Sequence, residues 1–340
     1  MEISRWSSEL GERTPPDHAH HSHAPRRVRR NYFMKPALAF LFILTLIANA
    51  ANPPNVDSLT AKGVRFKIEK DGTVTEASVG PKATIAFEDF ALIGAMHTLK
   101  RADVSPESAR LNDDTAKSLS HLDQLEKFFA NGAKLSDAGF KAFSGWKSLK
   151  SFGLDHWGWY APGHLPQKEP LGPGLAHLAS CTNLEHVRLG GCRVDNRVTA
   201  ALAQIKSLQS VDLQHTFAVT DEGIGALKGL PKLRIIKLSP QFSPRITDAS
   251  LVTLGEIKTL EEIEINETWL TYDKGFSHLK GLPLKKLVLT KVIATEADIA
   301  KLKADHPAAE IQWTQPDETI AAKTKEQFQR FWDKQSKPKP

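Results

Sequence analysis

The sequence predicts an α/β solenoid, a right-handed stack of about ten coils with a parallel sheet on its concave side and helices on its convex side. Three observations predict it. One spacing of apolar residues recurs through most of the chain, a turn and a short amphipathic segment follow each copy, and the distance between clear copies stays between 24 and 27 residues. Because one such unit cannot bury both of its faces, the coils must stack to form a core.

The repeated unit is Leu-x-x-Leu-x-Leu, in which other apolar residues replace some leucines. A period in the twenties with this spacing is the signature of leucine-rich repeats. The clearest copies are Leu184-Val187-Leu189, Leu208-Val211-Leu213, Leu233-Ile236-Leu238, Leu260-Ile263-Ile265 and Leu284-Leu287-Leu289. The same spacing extends to Val74-Ala77-Val79, Leu99-Ala102-Val104, Leu125-Phe128-Ala130, Leu149-Phe152-Leu154 and Ala308-Ile311-Trp313. We therefore predict a repeat domain over residues 74–313.

Each predicted strand is followed by a predicted short helix. Apolar residues at three- and four-residue spacing, as in Ile224, Leu227 and Leu230, are typical of one buried helical face. Polar pairs precede several helices, namely Ser136-Asp137, Thr220-Asp221 and Thr247-Asp248. Side-chain oxygens at this position accept the free N–H groups of a first helical turn. We interpret these carboxylates as helix caps rather than as catalytic groups.

The ends of the repeat region follow other patterns. Lys70-Asp71-Gly72 separates two apolar runs, and Asp-Gly between such runs indicates a β-hairpin. We therefore expect residues 51–73 to form an N-terminal hairpin cap. At the other end, residues 318–332 are predicted to form a helix that could seal the last coil. This helix lies in a C-terminal segment, 314–340, that ends in a disordered basic tail.

The unit Cys181-x-x-Leu184-x-x-Val187-x-Leu189-x-x-Cys192 resembles the cysteine-containing class of leucine-rich repeats, and Thr220-Asp221-x-Gly223-Ile224 resembles the end of that unit. Secreted bacterial leucine-rich-repeat proteins carry this pattern after a signal peptide and a hairpin. The resemblance implies the fold of residues 56–313 and says little about function. F-box proteins that select substrates for ubiquitin ligases contain the same repeat class, but no F-box-like helical segment precedes the repeats here.

Two cysteines are too few for a disulfide framework. Cys181 and Cys192 stand before and after one predicted strand, at positions that the repeat fills with small buried residues. Residues at opposite ends of one strand are also poorly placed for a bridge. We expect both side chains in the core and predict no disulfide.

An uninterrupted apolar run covers residues 37–47, with Lys35 before it and Ala48-Asn49-Ala50 after it. A basic flank, a short apolar run and an Ala-x-Ala site are the parts of a secretory signal peptide. We therefore predict a signal peptide over residues 34–50, a mature chain that begins near Ala51, and a periplasmic or secreted protein. Eleven apolar residues are too few to cross a bilayer, so we expect no stable membrane span after cleavage.

Residues 1–33 precede this signal peptide and are expected to be disordered. Met34 is one possible true start of the protein. The alternative is an export leader, because Arg29-Arg30 with the following residues loosely resembles a twin-arginine motif.

The formal net charge of +6 does not indicate a nucleic-acid partner. Nucleic-acid binding requires basic residues clustered on the folded surface. Here the basic excess lies mainly in the first 35 residues and in residues 314–340, which leaves the repeat region nearly neutral. The sequence also lacks a Gly-x-Ser-x-Gly, His-Glu-x-x-His or Cys-x-x-Cys motif and a phosphate-binding loop. We expect no enzyme activity, no cofactor and no metal site.

Neighbouring coils of a solenoid place equivalent residues side by side, about 4.8 Å apart. One such column is Asp103, Phe129, Gly153, Arg188, Asp212, Lys237, Glu264 and Val288. From Arg188 to Glu264 its charges alternate in sign, and opposite charges on adjacent strands attract. The column is therefore either a solvated structural face or part of a binding surface in which Phe129 and Arg188 contact the ligand.

One unit is longer than the others, because 35 positions separate Leu149 from Leu184. The extra residues fall within residues 155–166, here called the aromatic loop. This loop contains His156, Trp157, Trp159, Tyr160 and His164. Aromatic side chains dominate binding hot spots, which makes the loop the leading candidate ligand-binding site. The alternative is that its aromatic side chains fold back as a local core.

The sequence therefore favours an exported, non-catalytic scaffold that binds another protein through the concave sheet and the aromatic loop. A second hypothesis is that the aromatic loop binds a glycan of the cell envelope, because Trp rings stack on sugars. A substrate-receptor role like that of the F-box proteins and a purely structural role in the envelope are further alternatives.

Overall fold

The computed structural model describes residues 55–105, 111–157 and 172–335. The predicted leader and signal peptide lie outside these residues, as do Trp159, Tyr160 and His164 of the aromatic loop. All described residues belong to one compact unit.

Within these described ranges, eleven strands form one open sheet in the order of the sequence. The first two strands are antiparallel, and every later pair is parallel. The strands are β1 (Val64–Ile68), β2 (Val74–Val79), β3 (Arg101–Val104), β4 (Lys127–Asn131), β5 (Ser151–Asp155), β6 (His186–Gly190), β7 (Ser210–Gln214), β8 (Ile235–Ser239), β9 (Glu262–Asn266), β10 (Lys286–Thr290) and β11 (Glu310–Trp313).

Short helices connect the strands and pack alongside the sheet. The α-helices are α1 (Val56–Ala61), α2 (Asp89–Gly94), α3 (Asp113–Leu119), α4 (Asn196–Leu202), α5 (Asp221–Ile224), α6 (Asp248–Glu256), α7 (Glu296–Asp305) and α8 (Glu318–Gln335). The described residues also contain four 3₁₀ helices. Those at Asp137–Gly145, Pro173–Ser180 and Phe276–Leu279 take the place of the α-helix in their coils, whereas the one at Gly225–Gly229 continues α5. The fold is thus the predicted α/β leucine-rich-repeat solenoid. Within the described residues no helix has both the length and the apolar character needed to cross a membrane.

The predicted register of the repeats is confirmed. The middle apolar residue of every unit pairs with its equivalent in the next strand. These residues are Ala77, Ala102, Phe128, Phe152, Val187, Val211, Ile236, Ile263, Leu287 and Ile311. All are buried except Ile311 in the last strand, which is partly exposed. A single continuous core therefore runs through the stack.

The carboxylates that we interpreted as helix caps bind the following coil instead. Thr220 makes no side-chain capping bond, whereas Thr247 accepts the N–H of Ala249. The Asp221 carboxylate accepts the N–H of Thr247 at 2.8 Å and its hydroxyl at 2.7 Å. Asp248 binds Thr271 in the same way, at 2.9 and 2.8 Å. The Asp side chains point along the stack rather than back over their own helix, so they tie neighbouring coils together.

Three glycines at the starts of these helices lie against polar groups of the preceding coil. A Cβ on Gly223 would lie 2.2 Å from the side-chain oxygen of Asn196 in the preceding coil. A Cβ on Gly139 would lie equally close to Asp113, and a Cβ on Gly275 equally close to Asp248. Gly139, Gly223 and Gly275 therefore leave room for the polar group of the preceding coil. At the equivalent position of α6 the residue is Ser250, whose hydroxyl donates to Asp221 at 2.5 Å instead.

The two ends of the stack differ. At the first end β1 pairs with β2 through a tight turn in which Gly72 has a φ of +85°. At the other end α8 buries Thr324 and Phe328, and its Trp332 ring lies 5.1 Å from the Trp269 ring. Trp269 follows β9, so the aromatic contacts of α8 reach back along the stack. The expectation that this helix seals the last coil stays a prediction.

Candidate binding surface

The concave face of the sheet displays two outward columns of side chains. Alternate residues of a strand point to opposite faces, so the residues on either side of the buried middle position point outward. The first column is Glu76, Arg101, Lys127, Ser151, His186, Ser210, Ile235, Glu262, Lys286 and Glu310. The second column is Ser78, Asp103, Phe129, Gly153, Arg188, Asp212, Lys237, Glu264, Val288 and Gln312, in the predicted order.

The charges of the second column neutralise one another. Arg188 Nε lies 3.0 Å from Asp155 Oδ1, and its Nη1 lies 3.2 Å from Asp212 Oδ2. Lys237 Nζ lies 2.8 Å from Glu264 Oε2. Burial raises the pKa of the Asp212 carboxyl, which is 7% exposed. Arg188 is therefore held between two carboxylates, and this ladder leaves little charge for a ligand.

The centre of the first column carries no acidic, lysine or arginine side chain. Ser151, His186, Ser210 and Ile235 occupy it on β5 to β8, whereas the positions on β2 to β4 and on β9 to β11 are all charged. The first column thus has an uncharged centre between two charged ends. On β6 to β8 the second column carries the paired charges of Arg188, Asp212 and Lys237 instead.

A half-buried aromatic ring lies beside this centre. A Cβ on Gly153 would be 2.8 Å from Phe129 Cδ2, so the Phe129 ring covers the place where a side chain on β5 would stand. Phe129, Gly153, His186 and Arg188 line a shallow depression of about 250 Å³. The predicted candidates Phe129 and Arg188 are brought together here.

The described part of the aromatic loop divides between core and surface. Trp157 is 0% exposed, its Nε1 donates to the carbonyl oxygen of Leu135 at 2.8 Å, and its ring lies 4.9 Å from the Phe140 ring. Trp157 therefore has no surface to offer a ligand, as the local-core alternative expects for this residue. His156 is exposed, with its Nδ1 3.0 Å from Asn131 Oδ1. The other three candidates lie outside the described residues and remain predictions.

The sequence contained a signal for the burial of Trp157. It stands three positions after Leu154, the last apolar residue of its strand, just as Cys192 follows Leu189 and Thr268 follows Ile265. Cys192 and Thr268 are fully buried. Trp157 therefore fills a regular position of the repeat, and the extra residues of this unit follow it.

Other chemistry finds little support in the described residues. Cys181 and Cys192 are free and buried, and burial raises the pKa of both thiols, which disfavours the nucleophilic thiolate. In the described ranges no group of three His, Cys, Asp or Glu side chains could hold a metal ion. The class of protein that the fold defines is a leucine-rich-repeat solenoid. At the centre of its sheet the first outward column is uncharged and the second carries paired charges.

No protein-family model matches the sequence, and no curated protein matches it. Among solved structures the chain is similar to two internalins of Listeria monocytogenes str. 4b F2365. Internalin C2 is 14% identical, and the alignment covers 68% of this chain and 86% of that one with a TM-score of 0.41. Internalin F is 14% identical, with 72% and 87% covered and a TM-score of 0.28. At these TM-scores the fold assignment rests on the strand order and register alone.

Proposed function

We propose that this chain is an exported, non-catalytic leucine-rich-repeat scaffold that binds another protein at the centre of its concave sheet. The proposal rests mainly on one observation. In the first column the residues from Ser151 to Ile235 carry no formal charge, and they lie beside the half-buried Phe129 ring. Cores of protein interfaces are depleted in charged residues, and their rims are polar. Aromatic side chains, phenylalanine included, are enriched in such cores, and Phe129 lines the central depression.

Export is the second part of the proposal, and it is supported by the sequence of residues 34–50. N-terminal sequencing of the protein from its native host tests export. We expect a mature chain that begins near Ala51, and an intact N-terminus in the cytoplasm would contradict it.

No specific observation in the described residues favours glycan binding or an F-box-like role over protein binding. Glycan binding depends on the aromatic loop, in which Trp157 is committed to the core and most other aromatic side chains lie outside the described residues. Nothing in the described residues favours an F-box-like substrate receptor. We therefore place the binding site on the concave sheet.

Site-specific photocrosslinking tests the proposed surface. A photoreactive amino acid at Ser210, in the centre of the first column, is compared with one at Val252, an exposed position on α6. With cell-envelope extract of the native host, we expect a discrete protein adduct from position 210 and none from position 252. The adduct should disappear when Phe129→Glu is added to the position 210 variant. Equal labelling from both positions, or none from position 210, would contradict the proposal.

A further inference from the structure

The first outward column contains one pair of like charges on adjacent strands. Arg101 on β3 is in register with Lys127 on β4. Every other charged residue in the two columns stands next to an opposite charge or an uncharged residue. Like charges directly opposite one another destabilise a sheet. A bound anion would relieve this repulsion.

The carboxylates around this pair are already engaged. Asp103 Oδ2 lies 2.9 Å from Arg101 Nη2, and Glu126 Oε2 lies 2.9 Å from Lys150 Nζ. Glu76 Oε1 lies 3.5 Å from Lys67 Nζ. Among the described residues, no carboxylate lies within 4 Å of the exposed Lys127 ammonium group. In the part of the chain that the structure describes, Lys127 is thus a cation without an ion pair, next to the uncharged centre of the first column.

Lys127 and Phe129 form a two-part binding element. They stand two residues apart on β4 and both point outward, which separates them by about 6.6 Å along the strand. Both residues line the central depression. An extended partner segment has the same spacing, so two of its side chains, two residues apart, can face Lys127 and Phe129 together.

We infer that the partner presents an extended segment in which a carboxylate side chain stands two residues from an aromatic or large apolar one. The carboxylate binds Lys127 beside Arg101, and the apolar side chain packs on the Phe129 ring over Gly153. Arg188 is a poorer site for this carboxylate, because Asp155 and Asp212 already bind its guanidinium group. The inference rests on the proposed function and adds the chemistry of the partner.

Three fluorescein-labelled peptides test this chemistry with the full chain at low salt. They share one Gly-Ser frame and differ at two positions, which read Asp-x-Phe, Lys-x-Phe or Asp-x-Ser. By fluorescence anisotropy we expect the Asp-x-Phe peptide to bind about tenfold more tightly than either of the others. Lys127→Gln should weaken its binding about tenfold. Lys286→Gln is the matched control, because Lys286 lies in the same column between Glu262 and Glu310, and it should leave binding unchanged.

Equal affinity for the three peptides, no measurable binding of the Asp-x-Phe peptide, or an equal loss in Lys286→Gln would overturn the inference. Tighter binding of a single-stranded oligonucleotide that competes with the Asp-x-Phe peptide would also overturn it. These failures are distinct from failure of the proposed function. Crosslinks from position 210 that still require Phe129 would leave the scaffold in place and remove only the partner chemistry.

Discussion

The coils of β3 to β6 and the coils of β7 to β11 share one repeat but differ in their core side chains and in their outward-facing side chains. The first group, here called the irregular region, has an aromatic core in which Phe128, Phe143 and Trp146 contact one another at 4.3 to 5.5 Å. It also contains the insertion, the like-charge pair and the Phe129 ring. The second group, the regular region, has a mainly aliphatic core with one buried ring, Phe276, between its strands and helices, and its outward charges alternate in sign. Because each coil contacts mainly its neighbours, a solenoid can concentrate departures from its pattern in a few coils.

The largest expected effect on stability comes from the repeat position that holds Trp157 in the irregular region and the much smaller Thr268 in the regular region. Trp157→Ala removes a fully buried ring and a hydrogen bond to Leu135, so we expect a loss of about 3–5 kcal/mol in the free energy of unfolding. Thr268→Ala, at the equivalent position of the regular region, removes one hydrogen bond to Ile246 and should cost about 1 kcal/mol. Urea denaturation measures both. A cost of Trp157→Ala no greater than that of Thr268→Ala would show that the aromatic core is dispensable.

A second prediction concerns a feature that both regions share. Gly139→Ala and Gly223→Ala each place a Cβ 2.2 Å from a polar oxygen of the preceding coil, so each should cost about 1–3 kcal/mol. Gly225→Ala meets nothing within 4 Å and should be neutral or slightly stabilising. Asn196→Ala should remove most of the added cost of Gly223→Ala, because it removes the obstructing oxygen. Thermal unfolding of the single and double variants checks this, and additive costs would contradict the inter-coil explanation.

The third prediction concerns the pH dependence of stability, which we expect to arise from a buried histidine in the regular region. His306 in the regular region is buried, its Nε2 has no hydrogen-bond partner among the described residues, and burial lowers its pKa despite the nearby Asp305. Histidines 121, 156, 177 and 186 of the irregular region are exposed. Below pH 6.5, the ordinary pKa of histidine, His306 is protonated in the unfolded chain but stays neutral in the folded chain until the pH falls further. Stability should therefore fall as the pH drops through 6.5 toward the lower pKa of folded His306.

Thermal unfolding between pH 7.5 and 5 measures this effect, which we expect to be a modest decrease in Tm. His306→Gln should flatten the pH dependence in this range. The control His278→Gln, at an exposed position, should preserve it. An unchanged slope in His306→Gln would assign the acid sensitivity to other groups.

The smallest expected effect compares two lysines of the first column. Lys127→Gln removes the repulsion from Arg101 and should stabilise the fold by about 0.2–1 kcal/mol. Lys286→Gln removes attraction to its two glutamate neighbours and should destabilise it by a similar amount. Denaturation at low salt resolves these shifts, and high salt should shrink both. If both variants changed stability in the same direction, the proposed electrostatic difference between the two regions would be wrong.

The spacing of apolar residues was sufficient to predict the strands, their register and the order of the second column. This follows because alternate residues of a strand point to opposite faces, so a strand with one buried side has a fixed register. Signal peptide, leader and most of the aromatic loop stay predictions, since they lie outside the described residues. The repeat spacing also implies the register of Arg101 with Lys127, because both residues stand just before the middle apolar position of their units.

The sequence by itself determined that apolar residues at a fixed period would stack into parallel strands around one core. Only the tertiary structure decided which polar group each side chain reaches, as with Asp221 and Thr247 of neighbouring coils. It also decided that Trp157 enters the core and that α8 packs back on Trp269. The physical reason is that a period specifies which face of an element is buried, whereas side-chain direction and packing partners depend on neighbours distant in sequence.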